Sequence, residues 1–150
     1  MLALLDAEGV DTSAVQRLSS AATRTAVRLR SAQGEQVFMG KPGSQTLSSW
    51  PTRWMGALAT AGALLVDGWS YFHDEAQVIA EGVDQASAMG LPVLFDPGPR
   101  VSAIDLGWLR GVVAAAAVVL VTEPEYQGLS ARLDLTDAEA FPALQAVIIK

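Results

Sequence analysis

The sequence contains no cysteine and a single histidine, His73, among its 150 residues. The absence of cysteine excludes a disulfide framework, a thiol nucleophile and a cysteine-based metal site. One histidine is too few for a histidine-rich metal centre or for a relay between histidines. The chemistry of this chain must therefore rest on carboxylates, hydroxyls, cationic side chains and backbone groups.

Positive charge and long apolar runs are also scarce. Asp and Glu number 16 against 10 Lys and Arg, and this net charge of −6 argues against a nucleic-acid or membrane partner. The longest apolar run, residues 112–121, is too short to span a bilayer. The first residues lack a basic start and a cleavage motif, so we expect a cytoplasmic protein.

Four short apolar runs each end abruptly in a polar residue, and the ends are almost evenly spaced. The terminal residues are Asp67, Asp96, Thr122 and Lys150, at intervals of 29, 26 and 28 residues. A strand–helix–strand crossover needs roughly 30 residues. Continuous apolar runs are typical of strands covered on both faces, so the sequence predicts an α/β fold with a Rossmann-like, mainly parallel sheet and flanking helices. Ligands of open parallel sheets bind beyond the carboxyl ends of the strands, which makes the terminal residues site candidates.

The remaining segments carry helix and hairpin patterns. Residues 24–30 alternate in polarity, as a half-exposed strand does, and a turn at Gly34 leads to a second strand at 35–39, which predicts a β-hairpin. Leu2, Leu4 and Leu5 followed by Gly9 indicate the end of a helix. Further helices are predicted for residues 74–89, 100–113, 123–129 and 136–145.

These patterns divide the chain into a hairpin region, residues 22–43, and an α/β part, residues 53–150. A domain that opens late in a helix and closes on a buried strand is expected to be truncated at both ends. The hydrophobic content of 51% is sufficient for a sizeable core.

Three segments resemble the ribokinase-like (PfkB) carbohydrate kinases. The first is Gly9-Val10-Asp11-Thr12-Ser13-Ala14-Val15, which leads through a hairpin with Gly34-Glu35 to Pro42-Gly43. The second is Leu94-Phe95-Asp96-Pro97-Gly98-Pro99-Arg100, since an Asp and an Arg four residues later are typical of the family. The third is Val121-Thr122-Glu123-Pro124-Glu125 followed by Leu129, which is similar to the family's Asn-x-x-Glu segment. Their order and spacing match from end to end.

The resemblance implies that the chain is the middle of such a kinase, about half of the usual domain. Family members begin with a strand and a two-glycine segment that help to bind the sugar. They end with a Gly-Ala-Gly-Asp segment whose Asp is the catalytic base. Neither segment occurs in this sequence, so we expect the isolated chain to be inactive. Thr122 stands where the family's Asn is usual, and Gly98 where Asn is common.

For the nucleotide side, the resemblance implies ATP and Mg²⁺ as cofactors. Arg100 would reach the transferred phosphate, and Lys150 would lie near the nucleotide phosphates. Glu125 would organise Mg²⁺ through water, with Thr122 beside it as a poorer analogue of Asn.

For the substrate side, the resemblance implies a sugar or sugar-like alcohol. Asp67, Gly68, Trp69 and Asp96 lie where the family lines its sugar pocket, and the indole of Trp69 would stack on a sugar face. The hairpin would act as a lid over the sugar, and in some members it pairs with a second subunit to form a homodimer.

Each candidate also has a purely structural interpretation. Asp96 before Pro97 is typical of a turn or cap residue, and Glu125 in a first helical turn is favoured by the helix dipole regardless of function. Arg100 and Lys150 fit solvated positions, and Trp69 fits a packing role. The hairpin arginines Arg24, Arg28 and Arg30 are typical of a solvated strand face, although a phospho-sugar contact is the alternative.

Two other functional classes stay open at this point. The chain would be a non-catalytic sugar- or nucleotide-binding remnant if Thr122 and Gly98 record lost nucleotide chemistry. It would be a different Rossmann-like domain if Asp67 and Asp96 bind a metal or accept a phosphoryl group, as in receiver domains. The second alternative leaves the hairpin unexplained.

Overall fold

The computed structural model of the chain describes residues 2–41, 43, 49–73 and 75–150, with the backbone alone for His73. The chain divides into two compact units, residues 1–46 and residues 47–150. No helix in these described ranges is long and apolar enough to cross a membrane.

The first unit contains a short helix and a hairpin. Helix α1 (Leu2–Ala7) ends before Gly9, whose φ is +78°, as the leucine and glycine pattern predicts. Strand β1 (Thr25–Arg30) pairs antiparallel with β2 (Gln36–Lys41) through a turn that contains Gly34 at φ +90°. The predicted hairpin is therefore confirmed, although Pro42 at its distal end lies outside the described residues.

The hairpin is more exposed than its alternating pattern predicts. Every residue of β1 and β2 is exposed, including the apolar side chains of Val27 and Met39, which are register partners. The expectation of one buried face is therefore wrong. The helix of the same unit has no buried residue either, so the described residues of this unit provide no core on which the hairpin packs.

The second unit is a four-stranded parallel sheet whose strands lie side by side in sequence order. The strands are β3 (Leu64–Asp67), β4 (Val93–Asp96), β5 (Ala116–Val121) and β6 (Ala146–Ile149). Each strand corresponds to one of the four apolar runs, so the predicted α/β architecture is confirmed.

Most of the predicted crossover helices are present. Helix α3 (Ala76–Ala88) ends two residues before Gly90, whose φ is +69°. Asp74, at the predicted start, lies outside the described residues. Helix α4 (Leu106–Ala115) begins later than predicted, after a 3₁₀ turn at Val101–Ala103, because the Asp105 carboxylate caps it by accepting from the Trp108 amide at 2.9 Å. Helix α5 (Glu123–Ser130) has the proline in its first turn that the pattern predicts.

Two regions differ from the predicted helices. Helix α2 (Thr52–Thr60), which precedes β3, was not predicted. The helix predicted for residues 136–145 is wrong, since the chain forms turns there. Pro142 lacks an amide donor, and the Asp137 carboxylate accepts from the amides of Glu139 and Ala140, each at 3.0 Å. These local bonds compete with the helical hydrogen bonds.

The core lies on one face of the parallel sheet. Val66, Phe95 and Val119 are register partners on adjacent strands, and all three are buried. Helices α3, α4 and α5 pack on these strands, and α3 also packs on α4. Right-handed crossovers, the rule for parallel strands, put the helices between sequential strands on one face. Leu65 faces the other way and is 63% exposed, so the expectation of strands covered on both faces is wrong for β3.

Candidate functional site

The four polar residues at the ends of the apolar runs lie along one edge of the parallel sheet. Asp67 and Asp96 are register partners at the ends of β3 and β4. Val121 pairs with Ile149, and the Lys150 amide donates to the Val121 carbonyl at 2.8 Å, which places Thr122 and Lys150 beyond adjacent strand ends. The carboxyl edge therefore collects two carboxylates, a hydroxyl and an ammonium group.

At the end of β3, Asp67 organises the turn that follows. Its Oδ1 accepts from the amides of Trp69 at 2.9 Å and Ser70 at 3.2 Å. The Gly68 amide donates to the Asp96 carbonyl at 2.7 Å. A Cβ on Gly68 would lie 2.1 Å from the Pro97 carbonyl oxygen, so this close approach of two backbones requires glycine.

The Trp69 side chain lies at this turn and is half-exposed. A Cβ built on Gly98 would lie 3.4 Å from the indole nitrogen of Trp69, so the indole and the turn after β4 are near neighbours. Gly98 has a φ of +68°, a left-handed conformation that Asn also tolerates better than most residues. Glycine adopts this conformation at no steric cost.

At the end of β4, both carboxylate oxygens of Asp96 are engaged. Oδ1 accepts from the Gly98 amide at 3.0 Å, and Oδ2 forms an ion pair with Lys150 Nζ. The pair links the ends of β4 and β6 across the intervening β5. The hydrogen bond that Lys150 donates to Asp96 raises the pKa of Lys150 above its usual range; burial opposes this shift, and the charges of Asp96 and Glu125 add to it.

At the end of β5, Glu125 stabilises the first turn of α5. Its Oε2 accepts from the Thr122 amide at 2.7 Å, and its side chain is among the few charged groups that are buried. The spacing Thr-x-x-Glu is typical of a capping box, so this contact could have been predicted from the sequence. Glu125 therefore stabilises the helix start whether or not it also binds a ligand.

Arg100 lies in the turn beyond β4, with its guanidinium carbon 4.0 Å from the centre of the Phe72 ring. Phe72 belongs to a 3₁₀ turn, Ser70–His73, and meets Tyr71 edge-on at 5.1 Å between ring centres. The Tyr71 hydroxyl accepts from the Asp105 amide at 3.1 Å, which ties this turn to the start of α4. No hydrogen bond or ion pair within the described ranges joins Arg100 to Asp96 or Lys150.

The sequence did not indicate two of these contacts. The Asp96–Lys150 pair joins residues 54 positions apart, and the Arg100–Phe72 contact joins residues from different turns, so neither leaves a local pattern. The hairpin arginines Arg24, Arg28 and Arg30 belong to the other compact unit.

No cluster of three acidic or histidine side chains suited to a metal occurs in the part of the chain that the structure describes. A cavity of about 240 Å³ lies by the amino end of β6, lined by residues that include Leu135, Phe141 and Val147. Ala146 and Val147 are at the opposite end of β6 from Lys150, so this cavity is separate from the strand-end residues.

Comparison with known proteins gives matches among solved structures alone. No protein-family model matches the sequence, and none of the curated proteins matches it. The fructokinase of Xylella fastidiosa is 21% identical with a TM-score of 0.75, and the match covers 98% of this chain and 49% of that one. The nucleoside kinase of Burkholderia thailandensis in complex with inosine is 20% identical with a TM-score of 0.72, covering 99% and 47%.

A third similar structure is the ribokinase of Cryptococcus neoformans var. grubii in complex with ADP. It is 23% identical with a TM-score of 0.69, and the match covers 87% of this chain and 39% of that one. The chain thus spans half or less of the length of these three structures. At these identities the likeness concerns the fold, and the chain has the ribokinase-like fold.

Proposed function

We propose that the chain is the central part of an ATP-dependent kinase that phosphorylates a sugar or sugar-like alcohol. The main observation behind this proposal is that Asp96, Thr122 and Lys150 lie together at the carboxyl edge of a parallel sheet. The Glu125 carboxylate accepts from the Thr122 amide at the same edge. The similar structures support it, since they include a fructokinase with bound ATP and a nucleoside kinase with ADP and inosine. Such a kinase would act in the cytoplasm.

Phosphoryl transfer depends mostly on positioning and on the neutralisation of charge. In our proposal the ammonium of Lys150 and the guanidinium of Arg100 bind phosphate oxygens. The aromatic contact with Phe72 limits the side-chain freedom of Arg100, so less entropy is lost when a phosphate binds.

Glu125 is the residue that would hold Mg²⁺, with the Thr122 hydroxyl beside it. A site with one nearby carboxylate fits this ion, which keeps several waters and is held largely by substrate phosphates rather than by a protein cage. One Glu125 oxygen already accepts from the Thr122 amide, so the carboxylate is oriented before any ligand arrives. When bound, the ion would neutralise phosphate charge.

On the acceptor side, we propose that Asp67, Gly68, Trp69 and Asp96 border the sugar. The Asp67 turn and the close approach of Gly68 to Pro97 hold the half-exposed indole of Trp69 at the strand-end edge. An indole face at such a position is suited to stacking on the apolar face of a sugar ring.

Titration of the 150-residue chain with ADP tests the nucleotide part of the proposal. We expect calorimetry to show binding that strengthens with Mg²⁺ and weakens in Lys150→Met, because the substitution removes a cation from the phosphate site. Arg28→Met, which removes a hairpin cation, is the matched control and should leave the affinity unchanged. Absence of ADP binding, with and without Mg²⁺, would contradict the proposal.

Because the family's catalytic base has no counterpart in this sequence, we expect no ATP turnover by the purified chain with any sugar. Turnover that depends on ATP and Mg²⁺ would show this expectation to be wrong. Tight sugar binding without phosphate transfer in the whole parent protein would favour the non-catalytic remnant.

We also propose that the hairpin pairs with a second copy of the chain. Val27, Leu29, Val37 and Met39 share one face of the two-stranded sheet, and all four are exposed. Apolar faces of this kind commonly become buried when subunits associate. Sedimentation of the wild type and of Val27→Lys/Met39→Lys should show a dimer and a monomer, respectively.

A further inference from the structure

The two aspartates at adjacent strand ends have the same local role but different partners. Asp67 and Asp96 are register partners, and each accepts a hydrogen bond from the amide two residues ahead. Asp96 has, in addition, an ion pair with Lys150. Among the described ion pairs, none involves Asp67. Asp96 therefore has a role at this sheet edge in addition to its hydrogen bond within the turn.

We propose that Asp96 is an internal ligand of Lys150 that a phosphate must displace, so that Asp96 lowers the affinity of the strand-end edge for free polyphosphates. This inference rests on the proposed function, because it assigns a specificity-determining role within the same site. Lys150 binds phosphate only after it exchanges one oxyanion for another. The exchange favours ligands that gain further contacts over simple anions, which gain few.

The exposure of the pair makes the exchange feasible. The side chains of Lys150 and Asp96 are 49% and 29% exposed, so a ligand can reach the ammonium group without any rearrangement of the core. An exposed ion pair contributes little to stability, and the incoming phosphate carries more charge than the carboxylate that it replaces. The backbone at Lys150 stays anchored by its amide, which donates to the Val121 carbonyl.

The substitution Asp96→Asn separates the two roles of this side chain. The amide oxygen of Asn can still accept from the Gly98 amide, so the turn is kept, while the charge that holds Lys150 is lost. We expect the affinity for inorganic tripolyphosphate at low ionic strength to rise about two- to fivefold. The increase should shrink as salt is added, because the pair is exposed.

Asp67→Asn is the matched control. It removes the same charge from the neighbouring strand end and keeps an acceptor for the Trp69 amide. We expect its effect on tripolyphosphate affinity to stay below about 1.5-fold, because the repulsion between the Asp67 carboxylate and the polyphosphate is screened by solvent. An equal increase in both variants would overturn the proposal, since general repulsion would then explain it.

A double-mutant cycle tests whether Asp96 acts through Lys150. In a Lys150→Met background, Asp96→Asn should change tripolyphosphate affinity by less than about 1.5-fold, as Asp67→Asn does in wild type. An unchanged effect in that background, or weaker binding by Asp96→Asn alone, would overturn the exchange.

The ligands distinguish this failure from that of the kinase proposal. If the wild type binds ADP but Asp96→Asn changes neither the ADP affinity nor the tripolyphosphate affinity, the exchange is wrong and the kinase proposal stands. If Asp96→Asn strengthens tripolyphosphate binding and neither the wild type nor the variant binds ADP, the nucleotide assignment is wrong and the exchange stands.

Discussion

The hairpin and the parallel sheet both contain large apolar side chains, yet the burial of those side chains differs sharply. Phe38 of β2 is 63% exposed, whereas Phe95 of β4 is fully buried. Both lie inside paired strands, Phe38 opposite Arg28 and Phe95 opposite Val66. The difference shows that strand pairing alone does not bury a side chain. Burial in the sheet comes from the crossover helices, which the hairpin lacks.

The largest effect we predict contrasts these two phenylalanines. Phe95→Ala should lower the free energy of unfolding by about 3–5 kcal/mol, because it removes a ring from the packed core and leaves a cavity. Phe38→Ala should change it by less than about 0.5 kcal/mol. Urea denaturation followed by tryptophan fluorescence measures both, since Trp108 lies 6.1 Å from Phe95 between ring centres. Equal losses would mean that the hairpin face that carries Phe38 is covered in solution.

A second prediction contrasts two glycines in the same regions. Gly68→Ala should cost about 1–3 kcal/mol, because the new Cβ would collide with the Pro97 carbonyl and the strand-end turns must separate. Gly40→Ala in β2 should cost less than about 0.5 kcal/mol, since its Cβ would lie 3.7 Å from the nearest atom. Thermal unfolding of the two variants gives the comparison. A tolerant Gly68 would show that the two turns are not rigidly juxtaposed.

A third prediction concerns two glutamates. Glu125→Ala should cost about 1 kcal/mol through loss of the contact with the Thr122 amide. Glu35→Ala in the hairpin turn should have almost no effect, because the described bonds there use the Glu35 amide and carbonyl rather than its side chain. Glu125→Gln retains an acceptor and should recover most of the stability. If it does not, the charge near the helix start is the more important contribution.

The smallest effect is expected at alkaline pH. The pKa of Lys150 is raised by its bond to Asp96, so this bond stabilises the sheet unit fully below the usual lysine value of 10.5. The contribution should be lost as the pH rises through the elevated pKa of the folded state. Stability measured from pH 9 to 12 should therefore fall more steeply in wild type than in Asp96→Asn. Parallel curves would show that the pair does not persist in solution.

Most of the sheet could be predicted from the sequence because its determinants are local. Four uninterrupted apolar runs at crossover spacing specified the strands, and their last residues specified the edge that carries the candidate site. The helix predicted at 136–145 was wrong because the Asp137 side chain and Pro142 favour turns over a weak apolar pattern. The exposure of the hairpin could not be predicted, since alternation reports which residues share a face and not what covers that face.

The residues of the candidate site could be predicted, whereas their contacts could not, apart from the capping contact between Glu125 and Thr122. Asp67, Asp96, Thr122 and Lys150 were indicated by position alone, and the structure brings them to one edge. The pairing of Asp96 with Lys150 depends on the register of three strands, which no local pattern encodes. Their proposed roles in nucleotide and sugar binding stay predictions until the titrations are made.

The sequential order of the four strands has a consequence for folding during translation. Each of β4, β5 and β6 pairs with the strand that precedes it in the chain, so its partner has already been synthesised when it emerges. Assembly can proceed one crossover at a time, and each loop to be closed is short by the standards of parallel sheets. Translation itself would then set the order in which the sheet grows, from β3 outward to β6.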